Sequence, residues 1–213
     1  LKNKITYHHL HALFSTVNAK SFREGFEIYS PNSITDKVFY LNKGLVQVFN
    51  IIHGRKLIKH LIFPNELFGF EGLFHESHYL NFAEPLSSSC EIKSLSTAIF
   101  QQKLDNDLMG DFLRFLGKRQ QNLDWRLTSK SLETSERLVI EFIEKLGEQA
   151  GMLVGIETLI PFMLPHEDIA NMLGVSRQLV TATLSKLRKL NLIYYNRDKL
   201  IIRDFNSKIL KYL

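Results

Sequence analysis

From Ser21 to Phe100 short apolar runs are cut by turn signals: FEIYSPNS, KVFYLNKGLVQVFNIIHGRKLIKHLIF, PNELFG and CEIKSLSTAIF. Valine, isoleucine and aromatic residues alternate with polar ones, the period of strands with one buried face, and Asn42-Lys43-Gly44 and His53-Gly54 mark tight turns. The pattern predicts a roll of antiparallel strands, a sandwich or barrel. After Leu104 the punctuation stops, and LDNDLMGDFLRFLGKRQQNLDWRLTSKSL reads as one long helix. Met109, Leu113, Leu116, Gln120, Leu123 and Leu127 form an apolar seam with a single polar layer, and Leu108, Phe112 and Phe115 form a second stripe beside it. One stripe can pack on the chain's own strands and the other on a partner helix, which predicts a homodimer. A single broad face buried within a monomer is the alternative, since Gly110 and Gly117 weaken a strict coiled coil.

A hinge is expected at Ser131 to Ser135, where Thr134 or Ser135 can cap a helix carrying Leu138, Val139, Phe142, Ile143 and Leu146. Gly147 to Gly155 is expected to loosen the chain, and GIETLIPF reads as a loop. In LPHEDIANMLGVSRQLVTATLSKLRKLNLIYY, Pro165 suits a first helical turn and Ile169, Met172 and Leu173 make an apolar face. Gly174 can then adopt the left-handed conformation that ends a helix without a Cβ penalty. Ser176 can accept a hydrogen bond from the backbone near Leu179 and start a second helix, with Val180, Leu184, Leu187 and Leu190 on one side. The other side shows Gln178, Thr181, Ala182, Ser185 and Lys189, with Arg177 at its start.

That outward face lacks large apolar groups and ends in hydrogen-bonding tips. A helix of this width fits the DNA major groove, where arginine grips guanine O6 and N7 and glutamine pairs with adenine. The reading is a helix-turn-helix; an ordinary solvated helical hairpin has the same spacing. Beyond it, NLIYYNRDKLIIRDF alternates around Asn196-Arg197-Asp198-Lys199 and predicts a β-hairpin wing that brings Arg197 and Lys199 toward phosphates.

Charge sharpens the picture. The net +5 of the 213 residues lies wholly in Leu164–Leu213, with nine Lys/Arg against four Asp/Glu, while the remaining 18 and 18 cancel. The last quarter is therefore where a polyanion would bind. With 45% hydrophobic and 23% charged residues the composition is that of a soluble globular chain. One cysteine, Cys90, excludes an internal disulfide framework and a four-cysteine metal centre, and suits a cytoplasmic location. No apolar run approaches the ~20 residues of a membrane span. LKNKITYHHLHALF is too polar for a signal peptide, and the absence of an initial methionine leaves an upstream truncation open.

EDIANMLGVSRQLVTATLSKLRKLNLI, with its acidic-Ile, Leu-Gly-x-Ser-Arg and Asn-Leu-Ile landmarks, resembles the catabolite activator and FNR family of bacterial transcription regulators; FYLNKGLVQVF and LFGFEGLF match more weakly but in order. The resemblance implies an α+β chain in three parts: a cyclic-nucleotide-binding-like double-stranded β-helix (1–104), a long dimerisation helix and hinge (105–133), and a winged helix-turn-helix domain (134–213). It implies a transcription regulator that binds double-stranded DNA as a homodimer, with RNA polymerase as a further partner and no enzymatic activity. DNA-contacting candidates are His166, Ser176, Arg177, Gln178, Thr181, Ala182, Ser185, Lys186, Lys189, Arg197 and Lys199.

Cyclic-nucleotide sensors of this family use a carboxylate for the ribose hydroxyl and an Arg-Ser or Arg-Thr pair for the cyclic phosphate. The matching positions here are Phe70, with Glu71 one place on, and Leu80-Asn81. These four are the candidate effector pocket. A buried cyclic phosphate without a cation is poorly compensated, so the chain is not expected to depend on cyclic AMP, and the effector is not identified. His8, His9, His11, His53, His60, His75 and His78 invite a metal site, yet His75-Glu76-Ser77-His78 lacks the strand alternation of metal-binding cupins. No metal and no cofactor is expected. Glu91 beside Cys90 would raise the thiol pKa, which argues against a redox switch. Two rival readings are a cupin-type metal or small-molecule enzyme with a helical tail, and an interaction module whose winged helix contacts protein.

Overall fold

A computed structural model describes residues 7–74 and 76–203. The described residues divide into two compact units, one ending at Gln121 and a second beginning at Asn122. The first opens with helix α1 (His8–Ser15) and strands β1 (Lys20–Arg23), β2 (Lys37–Lys43), β3 (Val46–Ile52), β4 (Arg55–Ile62), β5 (Leu67–Phe68), β6 (Phe82–Pro85) and β7 (Ser89–Ser96). A short helix α2 (Thr97–Gln102) follows, then the long helix α3 (Asn106–Leu132), within which the boundary between the units falls. The strands form two antiparallel sheets, ordered β1-β7-β2-β5 and β4-β3-β6.

Strand β2 shows why the roll forms. Successive side chains of a strand point to opposite faces. Phe39 and Leu41 join an inner cluster with Tyr29, Val46, Val48, Ile62, Phe68 and Ile92. Val38 and Tyr40 join an outer cluster with Leu10, Phe14, Phe100, Leu108, Phe112 and Phe115. Both faces of the strand are therefore buried, which is why Val38 to Leu41 is a continuous apolar run. The β3–β4 hairpin closes on His53 and Gly54, with φ of 50° and 75°, the paired positive values of a type I′ turn.

The stretch CEIKSLSTAIF is not all strand. β7 ends at Ser96, whose side chain accepts from Ile99 N at 3.2 Å and caps α2. Phe100 thereby enters the outer cluster from a helix. Asp105 caps α3 by accepting from Leu108 N at 2.8 Å. Six residues later Asp111 accepts from His9 N (2.7 Å) and Leu10 N (3.2 Å) and so fastens the start of α1. Burial opposes ionisation of Asp111, but Arg114 and these two N–H donors outweigh it and hold its pKa below the ordinary value.

The second unit contains α4 (Ser135–Ala150), β8 (Met152–Val154), β9 (Glu157–Ile160), α5 (His166–Leu173), α6 (Arg177–Lys189), β10 (Ile193–Tyr195) and β11 (Leu200–Ile202). The cap of α4 is Thr134, which accepts from Arg137 N at 3.3 Å. The predicted apolar face of α4 is buried, with Ile140 added. The expected loosening at Gly147 does not occur. The helix runs through Gly147 to Ala150, and the chain returns as the β8–β9 hairpin of a four-stranded sheet ordered β10-β11-β9-β8. Part of GIETLIPF, read as a loop, is strand β9. Glycine at 151 is steric: a Cβ there would lie 2.3 Å from Gly147 O and from Thr158 Cγ2.

Candidate nucleic-acid interface

Helix α5 ends at Gly174, which sits at φ 67° and ψ 39°, the left-handed conformation. Gly174 N and Val175 N both donate to Ala170 O, at 2.8 and 3.2 Å. The chain turns, and Ser176 accepts from Leu179 N at 3.2 Å to start α6. Val180, Thr183, Leu184 and Leu187 are buried, and α6 packs on α4, α5 and β10. Leu190 departs from the prediction. It is the residue that ends the helix and is 49% exposed, because the apolar stripe finishes one turn earlier.

The opposite face is open. Arg177, Gln178, Thr181, Ala182 and Lys189 are exposed and Ser185 is half-buried. Arg177 Nε lies 4.0 Å from Glu167 Oε2 with both side chains exposed; such a pair contributes little and is readily exchanged for another anion. His166 Nδ1 is 2.9 Å from Thr181 Oγ1, and the His166 ring stands edge-on to Tyr195. Burial and the Arg177 charge lower the His166 pKa, which favours the neutral imidazole. In the wing, Asn196 Oδ1 accepts from Asp198 N and Lys199 N, each at 2.9 Å, so Arg197 sits exposed on a closed turn between β10 and β11. The last residues of the predicted hairpin, Asp204 and Phe205, lie outside the described residues.

Lys186 is exposed, and its Nζ is 2.8 Å from Glu136 Oε1 of α4, a second surface pair of the kind Arg177 makes. Two cations absent from the sequence reading stand behind the turn. Arg126 donates to Met172 O, and Lys130 Nζ would be 2.5 Å from a Cβ at Gly174. Their only signal in sequence was their spacing of four on α3.

Among the candidate pocket residues, Glu71 and Asn81 are brought together. Glu71 opens a 3₁₀ turn (Glu71–Phe74), and its Oε1 accepts from Asn81 Nδ2 at 3.3 Å; Asn81 Oδ1 accepts from Lys59 Nζ at 2.8 Å. Phe70 instead packs edge-on against Phe112 and Phe115, and Leu80 is exposed. The absence of a cation, assumed from Leu80-Asn81, does not hold, since Lys59 is drawn to Asn81 from β4. The Arg119 guanidinium stacks 5.0 Å over the Phe70 ring. Glu71 Oε2, Tyr29 Oη and Arg119 Nη1 are buried without a hydrogen-bond partner among the described residues. Nearby, burial raises the Glu66 pKa to about 7, against the donor Phe63 N and the Arg119 and Lys118 charges.

Of the histidines, His11 Nδ1 bonds Tyr40 Oη at 2.9 Å, and His75 lies outside the described residues. Among the described residues no three His, Cys, Asp or Glu side chains converge on a metal position. Cys90 is buried and donates to Leu45 O at 3.2 Å, as a small interior side chain would.

A sensor roll joined by a long helix to a winged helix-turn-helix defines a class of DNA-binding regulator, and comparison with known proteins agrees. Residues 19–107 match the model of the cyclic nucleotide-binding domain, and residues 137–207 that of the Crp-like helix-turn-helix domain. The nitrogen fixation regulation protein FixK of Rhizobium meliloti (strain 1021) is 26% identical over 178 residues, covering 81% of this chain and 76% of that protein. The structure of FixK2 from Bradyrhizobium japonicum superposes with a TM-score of 0.78 at 16% identity, covering 90% of this chain and 95% of the other. A CRP-family transcriptional regulator from Thermus thermophilus gives 0.71 at 18% identity, covering 88% and 93%. The chain belongs to the Crp/Fnr family of transcription regulators. It is a DNA-binding regulator and not an enzyme, and the cupin alternative finds no support. Regulators of this family bind DNA and act as dimers. No helix among the described residues is long and apolar enough to cross a membrane.

Proposed function

We propose that this regulator is a homodimer paired through Met109, Leu113, Leu116, Gln120, Leu123 and Leu127 of α3, and that each α6 enters a major groove of an inverted repeat. The observation that carries the reading is the open face of α6, polar and free of large apolar groups on a helix whose other side is core. Arg177, Gln178, Thr181, Ala182 and Ser185 face base edges; His166, Ser176, Lys189, Arg197 and Lys199 face the phosphates. Lys186 joins the phosphate-facing group, since its pair with Glu136 is exposed on both sides and, like that of Arg177, is readily exchanged for another anion. Functionally the chain divides into sensor (1–104), dimer helix (105–133) and DNA-binding domain (134–213). It works in the cytoplasm with RNA polymerase as a further partner. Selection of random duplexes on the purified protein tests the reading and should recover an inverted repeat.

The roll is proposed not to serve as a cyclic AMP receptor. Leu80 is exposed where the family has arginine, and Lys59, the cation beside Asn81, is already bonded to it. A cyclic phosphate there would have to break that bond and leave Asn81 to find another partner. Isothermal titration with millimolar cyclic AMP should show no saturable heat; a saturable isotherm would overturn this part of the proposal.

A further inference from the structure

Arg126 and Lys130 stand four residues apart on one face of α3, in the unit that begins at Asn122. The last carbonyls of a helix have no partner within it and need one from elsewhere. In α5 the left-handed cap directs both Gly174 N and Val175 N onto Ala170 O. The Met172 carbonyl, two residues further on, is taken by the Arg126 guanidinium. Lys130 lies against Gly174 itself. Two cations from α3 thus meet the negative end of the α5 dipole at the turn that leads to Ser176.

The same stretch of α3 is fastened to α4. Trp125 Nε1 and Ser129 Oγ both donate to Glu141 Oε2, at 3.1 and 2.8 Å, and Lys145 Nζ lies 4.7 Å over the Trp125 ring. Arg126 therefore leaves α3 from a fixed base. It sits in sequence between Leu123 and Leu127, residues of the proposed dimer seam.

We infer that Arg126 is a positioning residue for DNA recognition: it holds the turn between α5 and α6 from the helix that carries the dimer seam. The inference rests on α6 being the recognition helix. Arg126 need not touch DNA; its work is to fix where α6 begins relative to α3, and so relative to a second copy paired along α3.

The test uses the whole chain, the duplex recovered by selection with the wild-type protein, and a scrambled duplex of equal length and composition. Arg126→Met, which keeps the stem and removes the donors, should stay dimeric in sedimentation and lose about tenfold in affinity for the selected duplex. Its affinity for the scrambled duplex and its slope of log affinity against log salt should not change. Arg126→Lys, which keeps a charge and one donor direction, should lose only about threefold. Wild-type selectivity in Arg126→Met would overturn the inference. So would equal weakening on both duplexes with a shallower salt slope, the mark of a phosphate contact, or equal weakening with loss of the dimer, the mark of a merely structural residue. If Arg126→Met does not fold, Arg126→Lys decides, and wild-type selectivity in it would refute the role. A wild-type chain that selects no duplex would overturn the recognition reading together with this one.

Discussion

Replacing Leu113 and Leu127 with glutamate is expected to convert the regulator to monomers without unfolding it. These two residues are 59% and 68% exposed in the single chain, so neither supports the roll or the winged domain. Met109 is also exposed, while Leu116 and Leu123 are half-buried. Burying such a side chain against a partner contributes roughly 1.5–3 kcal/mol when complete. Met109, Leu113 and Leu127 are the seam residues left for a partner to cover, and carboxylates buried opposite one another there would oppose pairing. Leu116 and Leu123 substituted by charged residues should give the same outcome, but Leu116 also packs on the outer cluster of the roll and its loss confounds assembly with folding. Sedimentation at micromolar concentration reads the result, and thermal melting should show an intact fold. A wild-type chain that sediments as a monomer would disprove the seam.

The second large effect concerns the bases. Arg177→Ala should cost about 1–3 kcal/mol on the selected duplex and relax preference at one G·C pair, the pair its guanidinium grips. Arginine can leave Glu167 for guanine with little loss, because that contact is long and exposed on both sides. Gln178 offers a donor and an acceptor that match adenine N6 and N7, and Ala182 offers only a methyl group, which suits thymine. The half-site should therefore carry a G·C pair under Arg177, an adenine under Gln178, and a thymine or no preference under Ala182. Lys199→Ala should behave otherwise, weakening all duplexes alike and making the salt slope shallower by about one. Unchanged base preferences in Arg177→Ala would remove that residue from the readout.

The elements legible in the sequence are those fixed by short-range chemistry. Gly174 and Ser176 reveal the turn because a left-handed φ and an N-cap each demand a residue type at one position. The α3 stripes are legible because helical spacing separates Leu108, Phe112 and Phe115, buried in the outer cluster, from Met109, Leu113 and Leu127, which stay exposed. The misread elements follow from the same locality. Gly147 and Gly151 look like loop residues, yet one continues a helix and the other makes room for Gly147 O and Thr158. The α2 helix hides behind a strand-like run because Ser96 is at once the last strand residue and a cap. Partners far apart in sequence were invisible: Lys186 with Glu136, Lys59 with Asn81, and Arg126 with Met172. A lone cation in a basic chain gives no sign of which anion or carbonyl it will meet, so Lys59 beside Asn81 could not be read from the sequence.

The arrangement of the DNA sites carries the central claim. A two-fold dimer with one recognition helix per subunit must read two half-sites related by inversion and one helical turn apart. Duplexes selected from a random pool by the purified protein, then footprinted, measure this directly. The expected result is an inverted repeat whose half-site centres are separated by roughly 10–10.5 base pairs, protected on both halves. A single asymmetric half-site, or a pool with no sequence preference, would contradict it.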